Sequence, residues 1–191
     1  MNIPEKEIIL ERIKASKKPV IISIDGRCAS GKSTFARELA EELNADVIHM
    51  DDFYLRKEQR TPERYAEPGG NVDAERFLSE VLIPLKKGKA FTYHPFDCSV
   101  MEVSDKAVPA GEKDVTIIEG SYSQRADLRD YHDLKIFLDV RPDVQMERIR
   151  KRNPDKWEMF RDRWIPLEEL YFDSCSVKDQ ADIVIDTSDV F

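Results

Sequence analysis

The chain has 191 residues and a formal net charge of −8, because its 38 Asp and Glu residues outnumber its 30 Lys and Arg residues. This length fits one domain, so we interpret residues 1–191 as a single domain. The negative charge argues against a nucleic-acid binder or a membrane-surface binder, because both need a positive field. Three cysteines without metal-ligand spacing and the lack of a long apolar run predict reduced thiols and a cytoplasmic protein.

The first predicted elements follow a strand–helix–strand order. Residues 4–17 predict a short amphipathic helix, and residues 20–25 form a β-branched run that is typical of a strand buried on both faces. Residues 33–44 and 47–50 predict a helix and a second strand. Residues 51–71 are polar and rich in Pro and Gly, which indicates a loop region.

The rest of the chain continues this alternation. A helix is predicted from Asp73 to about residue 87, with Pro84 expected to kink or end it, and residues 93–109 are predicted to be irregular. Further strands are predicted at 115–118, 135–140 and 182–186, and a further helix at 142–152. Strands that alternate with helices predict an α/β fold with a parallel sheet and right-handed crossovers.

The strongest motif lies directly after the first predicted strand. Thr34 follows eight residues that match GxxxxGK[ST]. These eight residues are Gly26, Arg27, Cys28, Ala29, Ser30, Gly31, Lys32 and Ser33. The glycines allow backbone N–H groups to converge on phosphate oxygens, and the following helix adds its positive end. Lys32 would place an ammonium group against the β- and γ-phosphates, and Ser33 would ligate Mg²⁺. Residues 26–34 are therefore predicted to bind ATP with Mg²⁺, in a positive environment that would lower the pKa of Cys28.

The sequence narrows the classes of protein that could use this nucleotide. It contains neither the NKxD and DxxG strings of a GTPase nor an LSGGQ-like segment of an ABC-type ATPase. A ring-forming motor domain would need a longer chain. A kinase that phosphorylates a small molecule remains.

Transfer of phosphate to a hydroxyl needs a carboxylate that accepts the proton and a second acidic group at the metal. Asp51 and Asp52 follow the second predicted strand, and Glu119 follows the third, at the carboxyl edge of the predicted sheet. Adjacent residues of an extended chain point to opposite sides, so only one of the two aspartates can face the phosphates. We predict that Asp51 is the general base and that Glu119 orders the water of the metal.

Five segments together resemble one family: ISIDGRCASGKST, VIHMDDFY, NVDAERF, IIEG and DLKIFLDV. They resemble the uridine kinase branch of the P-loop kinases, a group that includes phosphoribulokinase and bacterial pantothenate kinase. The resemblance covers residues 20–186 and implies a P-loop three-layer sandwich with a five-stranded parallel sheet, helices on both faces and a mobile lid. It also implies that Asp51 is the catalytic aspartate, that Tyr54 lines the acceptor site, that Asp73 binds hydroxyls of the acceptor and that Glu119 lies at the metal.

One segment departs from the family pattern. Uridine kinases contact the pyrimidine base through a YDFxxHSR-like segment, whereas this chain has TYHPFDCSVMEV. Phe96 and Asp97 can stand in for the Tyr and Asp of that pattern, but no His or Arg follows at the base-reading position. We expect Phe96 and Tyr122 to contact the acceptor.

The lid is placed at about residues 141–165, where basic residues concentrate. Arg148 and Arg152 lie four residues apart on one face of the predicted helix, so both are expected to reach the transferring phosphoryl group. An aromatic stripe follows at Trp157, Phe160 and Trp164. We interpret the stripe as packing that docks the lid, with Pro166 as its end.

The sequence thus predicts an ATP-dependent kinase whose acceptor is a hydroxyl of a nucleoside or another small metabolite. Its predicted catalytic residues are Asp51, Lys32, Arg148 and Arg152. Kinases for another polyol or a vitamin, such as a sugar, pantothenate or ribulose phosphate, stay open, as does a nucleotide-sensing module without transferase activity. A kinase for nucleic-acid ends is disfavoured by the acidic composition, and a homo-oligomer is left open.

Overall fold

The β-branched runs of the sequence form the centre of the molecule. The computed structural model describes residues 3–190. Its strands are β1 (Val20–Gly26), β2 (Asp46–His49), β3 (Phe91–Tyr93), β4 (Phe96–Asp97), β5 (Glu102–Val103), β6 (Val108–Ala110), β7 (Val115–Glu119), β8 (Leu134–Asp139) and β9 (Ile183–Asp186). Within the described residues, five of these strands form one parallel sheet in the order β2-β7-β1-β8-β9.

Helices cover both faces of this sheet. They are α1 (Glu5–Ala15), α2 (Lys32–Leu43), α3 (Pro62–Ala66), α4 (Ala74–Phe77), α5 (Ile83–Lys86), α6 (Pro142–Arg152), α7 (Trp157–Met159) and α8 (Ile165–Ser174). Strand β1 is buried along its whole length, and its alternate side chains enter two separate cores. Ile21 packs in one core with Phe77 and Tyr171, whereas Ile22 packs in the other with Phe35. The predicted three-layer α/β sandwich with a five-stranded parallel sheet is therefore confirmed.

The sheet register brings the chemically important segments to one edge. Ile24 of β1 pairs with Glu119 of β7, and Glu119 also pairs with His49 of β2. Gly26, the last residue of β1, pairs with Leu138 of β8. The ends of these strands therefore lie at the same carboxyl edge, where parallel α/β sheets place their ligands.

Two prolines lie inside helices that they were expected to kink or end. The chain stays helical from α4 to α5, with Pro84 in α5, and from α7 to α8, with Pro166 in α8. A π-helical stretch precedes each proline, at Leu78–Leu82 and at Phe160–Trp164. The predictions of an end were wrong, because the wider π-turn removes the close approach between the proline ring and the carbonyl four residues earlier.

Two regions predicted to be irregular contain regular structure. Strand β3 pairs with β6 and β4 pairs with β5, both antiparallel, so residues 93–109 include two β-ladders. The loop region after β2 contains 3₁₀ turns at Met50–Phe53 and Lys57–Gln59 and the short helix α3. These ladders are two or three residues long, too short to show a period in the sequence.

None of the helices between residues 3 and 190 has both the length and the apolar character needed to cross a bilayer.

Candidate active site

The loop between β1 and α2 has the geometry of an anion cradle. Ala29 and Gly31 both have positive φ angles, 60° and 91°, which curl the backbone before α2 begins. Gly31 is the N-cap residue of α2, and no side chain caps this end of the helix. Lys32 Nζ donates to the carbonyl oxygens of Gly26 (2.7 Å) and Arg27 (2.9 Å). The N–H groups of the first turn and the Lys32 ammonium are thus positioned for an anionic ligand.

A buried carboxylate supports the start of this loop. Asp25 accepts hydrogen bonds from the backbone N–H of Gly26 (2.7 Å), from the backbone N–H of Gln124 (2.9 Å) and from the Tyr171 hydroxyl (2.8 Å). Burial raises the pKa of Asp25. Asp25 was not among the residues predicted from the sequence, although an acidic residue directly before the glycine motif is a visible signal.

A cavity of about 880 Å³ opens over the loop at the carboxyl edge of the sheet. Cys28, Ala29 and the stretch from Gly31 to Thr34 line it, as do Asp51, Tyr54, Glu119, Tyr122 and Arg152 among the predicted site residues. A volume of this size is in the range of small-molecule and cofactor sites.

The structure separates the roles of the two adjacent aspartates. Asp51 lines the cavity, whereas Asp52 accepts a hydrogen bond from the Tyr93 hydroxyl (3.0 Å) and has its pKa raised by burial. Both lie in the 3₁₀ turn Met50–Phe53, so the extended backbone assumed in the sequence argument was wrong. Of the two aspartates, only Asp51 lines the cavity that the phosphate loop also lines.

Glu119 connects β7 to the phosphate loop. Its Oε1 accepts a hydrogen bond from Ser33 Oγ (3.1 Å) and lies 2.5 Å from His49 Nδ1. The hydrogen bond to Glu119 raises the pKa of His49, a contact that sequence reasoning missed. A hydroxyl beside a carboxylate matches the oxygen ligands that Mg²⁺ prefers. Because residues 3–190 hold no cluster of three or more His, Cys, Asp or Glu side chains able to bind a metal, phosphate oxygens would have to complete such a site.

Asp73 does not line the cavity. It is fully buried and caps α4, accepting hydrogen bonds from the backbone N–H of Arg76 (3.2 Å) and from Arg56 Nε (3.0 Å). Phe96 also lies outside the lining and packs edge-on against Tyr54, with ring centroids 5.5 Å apart. The structure thus gives Asp73 and Phe96 supporting positions, not the direct acceptor contacts that were expected.

The two lid arginines lie in different environments. Arg152 lines the cavity, whereas Arg148 hydrogen-bonds to the carbonyl oxygens of Ala29 (3.3 Å) and Thr187 (2.7 Å) behind the loop. The Arg27 side chain also turns away from the cavity and pairs with Asp139 Oδ1 (2.8 Å). The expectation that Arg148 reaches into the site with Arg152 is not met, because the Arg148 guanidinium donates hydrogen bonds to the carbonyl oxygens of Ala29 and Thr187.

The aromatic stripe of the lid is not core packing. Trp157, Phe160 and Trp164 all remain partly exposed, and Phe160 and Trp164 line the cavity together with Met159. Trp157 lies outside the cavity lining, with the Arg150 guanidinium of α6 over its ring at 4.6 Å, as packing within the lid predicts, whereas Phe160 and Trp164 have cavity positions that were not expected. Phe160 and Trp164 thus form part of one wall of the cavity.

The pKa of Cys28 departs from its ordinary value in the direction opposite to the expectation. Burial, and the Glu168 carboxylate beside it, raise the pKa of the Cys28 thiol to about 12. The predicted activation by the loop was wrong, because desolvation outweighs the nearby positive charge.

Comparison with known proteins agrees with this geometry. Residues 21–160 match the model of the cytidylate kinase-like family. The chain is 29% identical to a uridine kinase of Limosilactobacillus reuteri over 150 residues, which cover 74% of this chain and 68% of that protein. It is 31% identical to a uridine kinase of Staphylococcus aureus over 146 residues, which cover 72% of this chain and 70% of that protein.

Solved structures show the same fold. A protein described as a possible uridine kinase from Bacillus stearothermophilus superposes with a TM-score of 0.72 at 23% identity, covering 95% of this chain and 97% of that one. A D-glycerate 3-kinase from Cryptococcus neoformans gives a TM-score of 0.58 at 15% identity, covering 90% of this chain and 87% of that one. The chain therefore belongs to the cytidylate kinase-like family, in the uridine kinase-like branch of the P-loop kinases, which are nucleotide-dependent phosphotransferases.

Proposed function

We propose that this kinase transfers the γ-phosphate of ATP, bound with Mg²⁺, to a hydroxyl group of a nucleoside or another small metabolite. The observation that carries the proposal is that Lys32, Ser33, Asp51 and Glu119 all line one cavity of about 880 Å³. A phosphate cradle, a pair of oxygen groups for a metal and a carboxylate thus share one cavity, as phosphoryl transfer requires.

Each group has a distinct proposed task. The N–H groups of the loop and Lys32 bind the phosphates, and Arg152 adds positive charge from the lid. Ser33 and Glu119 would hold Mg²⁺, which when bound neutralises charge on the phosphate oxygens. Asp51 orients the acceptor hydroxyl and takes its proton.

The lining of the cavity favours an uncharged acceptor. Among the described residues that line it, only Lys32 and Arg152 are basic, and both have a task at the phosphates. The remaining wall includes Met101, Phe160 and Trp164. An acceptor with a phosphate or carboxylate group would find no cation of its own, so ribulose phosphate and pantothenate fit less well than a nucleoside.

The Asp51 carboxylate in the cavity also favours a transferase over a nucleotide-sensing module. A sensor needs the phosphate cradle of Lys32 and Ser33 but has no use for a general base beside it. The acidic composition continues to disfavour a nucleic-acid end as the acceptor.

Asp51→Asn tests the proposal, with the neighbouring Asp52→Asn as the matched control. The amide cannot accept the hydroxyl proton, so we expect turnover to fall about 10²–10⁴-fold while ADP affinity stays nearly unchanged. Asp52 lies outside the cavity lining, and its variant should keep turnover within about threefold. Acceptor-dependent ADP release, measured over a panel of nucleosides, sugars and vitamin alcohols, gives the turnover.

Unchanged turnover in the Asp51→Asn variant would remove Asp51 from the role of base. ATP binding without acceptor-dependent ADP release across the panel would support the sensing module. Retention on single-stranded nucleic acid at moderate salt would revive the nucleic-acid kinase.

A further inference from the structure

Glu168 is a carboxylate in the cavity wall for which the proposed chemistry has no task. It lies in α8, is 5% exposed and lines the cavity above the phosphate loop. Its Oε2 accepts a hydrogen bond from the backbone N–H of Cys28 (2.9 Å), and its Oε1 accepts one from Ser121 Oγ (2.7 Å). Glu168 therefore joins α8 to the phosphate loop and to the segment that follows β7.

Neighbouring side chains of α8 hold the same loop. Glu169 pairs with the Arg27 guanidinium, and the Tyr171 hydroxyl donates to the Asp25 carboxylate that supports the loop (2.8 Å). Of these contacts, only the one made by Glu168 is with a residue that lines the cavity, because Arg27 and Asp25 lie outside its lining. Of these α8 residues, Glu168 therefore makes the contact with the loop that lies nearest to the space for bound phosphates.

The helix that carries Glu168 also carries the lid wall. The chain is helical from Trp157 through the π-turn to Ser174 at the end of α8, and we call this stretch the lid helix. Phe160, Trp164 and Glu168 follow at intervals of four residues, and all three line the cavity. Side chains four apart share one face of a helix, so the aromatic wall and the loop contact belong to one continuous helical face.

The charge of Glu168 makes this contact sensitive to what the loop holds. The carboxylate is buried beside the loop, and its charge already contributes to the raised pKa values of Cys28 and Tyr122. Phosphates that enter the cradle bring further negative charge next to this buried carboxylate. Like charges repel more strongly where water is excluded, so we expect phosphates in the cradle to weaken the contact between Glu168 and Cys28.

We propose that Glu168 is a positioning residue that couples filling of the phosphate loop to the position of the lid helix. The contact with Cys28 holds the part of the lid helix from Trp157 to Glu168 in one position while the loop lacks phosphates, and phosphate binding releases this part. The buried Tyr171 keeps the end of α8 in place in both states. By linkage, the position of the lid then affects nucleotide affinity to the same extent. The inference rests on the proposed nucleotide site but not on the identity of the acceptor.

The two tryptophans of the chain provide a direct measurement. Both of them, Trp157 and Trp164, lie in the lid helix, but Trp164 also lines the cavity, where a bound nucleotide could change its emission directly. A Trp164→Phe protein therefore serves as the unmodified protein of this experiment, because its one tryptophan, Trp157, lies outside the lining. ADP with Mg²⁺ should change the emission of this protein. Glu168→Gln and Glu168→Ala should still bind ADP, with a dissociation constant within about fivefold of the original by calorimetry, but lose most of the emission change.

Glu158→Gln is the matched control. Glu158 is exposed on the same helix and lies outside the cavity lining, so its variant removes the same charge without touching the loop. It should keep the full emission change. The isosteric Gln at position 168 guards against misfolding, and retained ADP binding verifies the fold of both Glu168 variants.

Each outcome separates this inference from the proposed function. Absence of ADP binding by the unmodified protein would remove the proposed function itself. If that protein binds ADP but shows no emission change, or if the Glu168 variants keep the full change, the coupling is overturned. Loss of ADP binding in the Glu168 variants, or loss of the emission change in the Glu158 control, would overturn it as well.

Discussion

Gly26 is required by the sheet as well as by the phosphate loop. It ends β1 with φ +135°, and a Cβ atom built there would lie 2.1 Å from the carbonyl oxygen of Leu138. That oxygen also accepts a hydrogen bond from the Arg27 backbone N–H (3.2 Å). From the sequence, this glycine was expected to let backbone N–H groups converge on phosphate oxygens, and the close approach of β8 is a second reason for a glycine at this position.

Gly26→Ala tests this at the scale of one residue. The methyl group would collide with rigid backbone, so we expect the free energy of unfolding to fall by about 3 kcal/mol or more and nucleotide binding to be lost. Urea denaturation and calorimetry with ADP provide the two measurements. Gly88→Ala is the matched control, because Gly88 has φ +61° but open space around its Cβ position, so that only about 1 kcal/mol of backbone strain is expected. Equal losses in the two variants would refute the collision with Leu138.

At the scale of elements, the start of α4 depends on a buried ionic cluster. Asp73 caps the helix and lies 3.0 Å from Arg56 Nε and 3.6 Å from Arg76 Nε. The Arg76 guanidinium also donates to the carbonyl oxygen of Asp52 (2.9 Å) and lies over the Phe53 ring. The cluster thus connects α4 to the 3₁₀ turn that carries Asp51, which explains how a residue outside the cavity can support the site.

The pair Asp73→Ala and Asp73→Asn separates a supporting role from acceptor binding. Ala removes the cap and one of the two carboxylates beside the buried Arg76 charge, the other being Glu80 at 3.5 Å, at a cost of about 3 kcal/mol in the free energy of unfolding. Asn keeps an oxygen for the cap and should cost less, about 1–2 kcal/mol, with the KM for the acceptor changed no more than about threefold. A large rise in that KM without a loss of stability in the Asn variant would instead support the direct contact implied by the family resemblance.

At the scale of the whole molecule, one buried imidazole should affect acid stability. Burial lowers the pKa of His132 to about 3, and neither ring nitrogen has a hydrogen-bond partner among the described residues. The unfolded chain binds this proton below about pH 6.5, whereas the folded protein binds it only near pH 3. The stability linked to His132 is therefore complete above pH 6.5 and is lost progressively as the pH falls towards 3.

His132→Leu should flatten that dependence. In the original protein this residue contributes a slope of up to about 1.4 kcal/mol per pH unit below pH 6.5, and the Leu variant should lose this contribution. Urea denaturation at pH 7, 6, 5 and 4 measures both slopes. His94→Gln is the matched control for loss of a histidine outside the core, because the His94 side chain is 42% exposed. Parallel slopes for the original protein and the Leu variant would contradict the burial argument.

The alternation of strands and helices, the phosphate loop and the family were already determined by the sequence. Each of these depends on local order: the β-branched runs of β1 and β7 stand out within a few residues, and GxxxxGK[ST] is contiguous. The short ladders of residues 93–109 and the π-turns before Pro84 and Pro166 were missed, because packing against distant segments decides them.

The assignment of individual side chains was decided only by the tertiary structure. Asp51 and Asp52 are adjacent in sequence, yet contact with Tyr93 turns one of them away from the cavity. Arg148 and Arg152 are equivalent in the sequence pattern, but Arg148 donates a hydrogen bond to the carbonyl oxygen of Thr187. Glu168 accepts a hydrogen bond from Cys28 of the phosphate loop, although the two residues are 140 positions apart in the sequence. Such contacts leave no local period or spacing in the sequence, because they exist only when the sheet brings its ends to one edge.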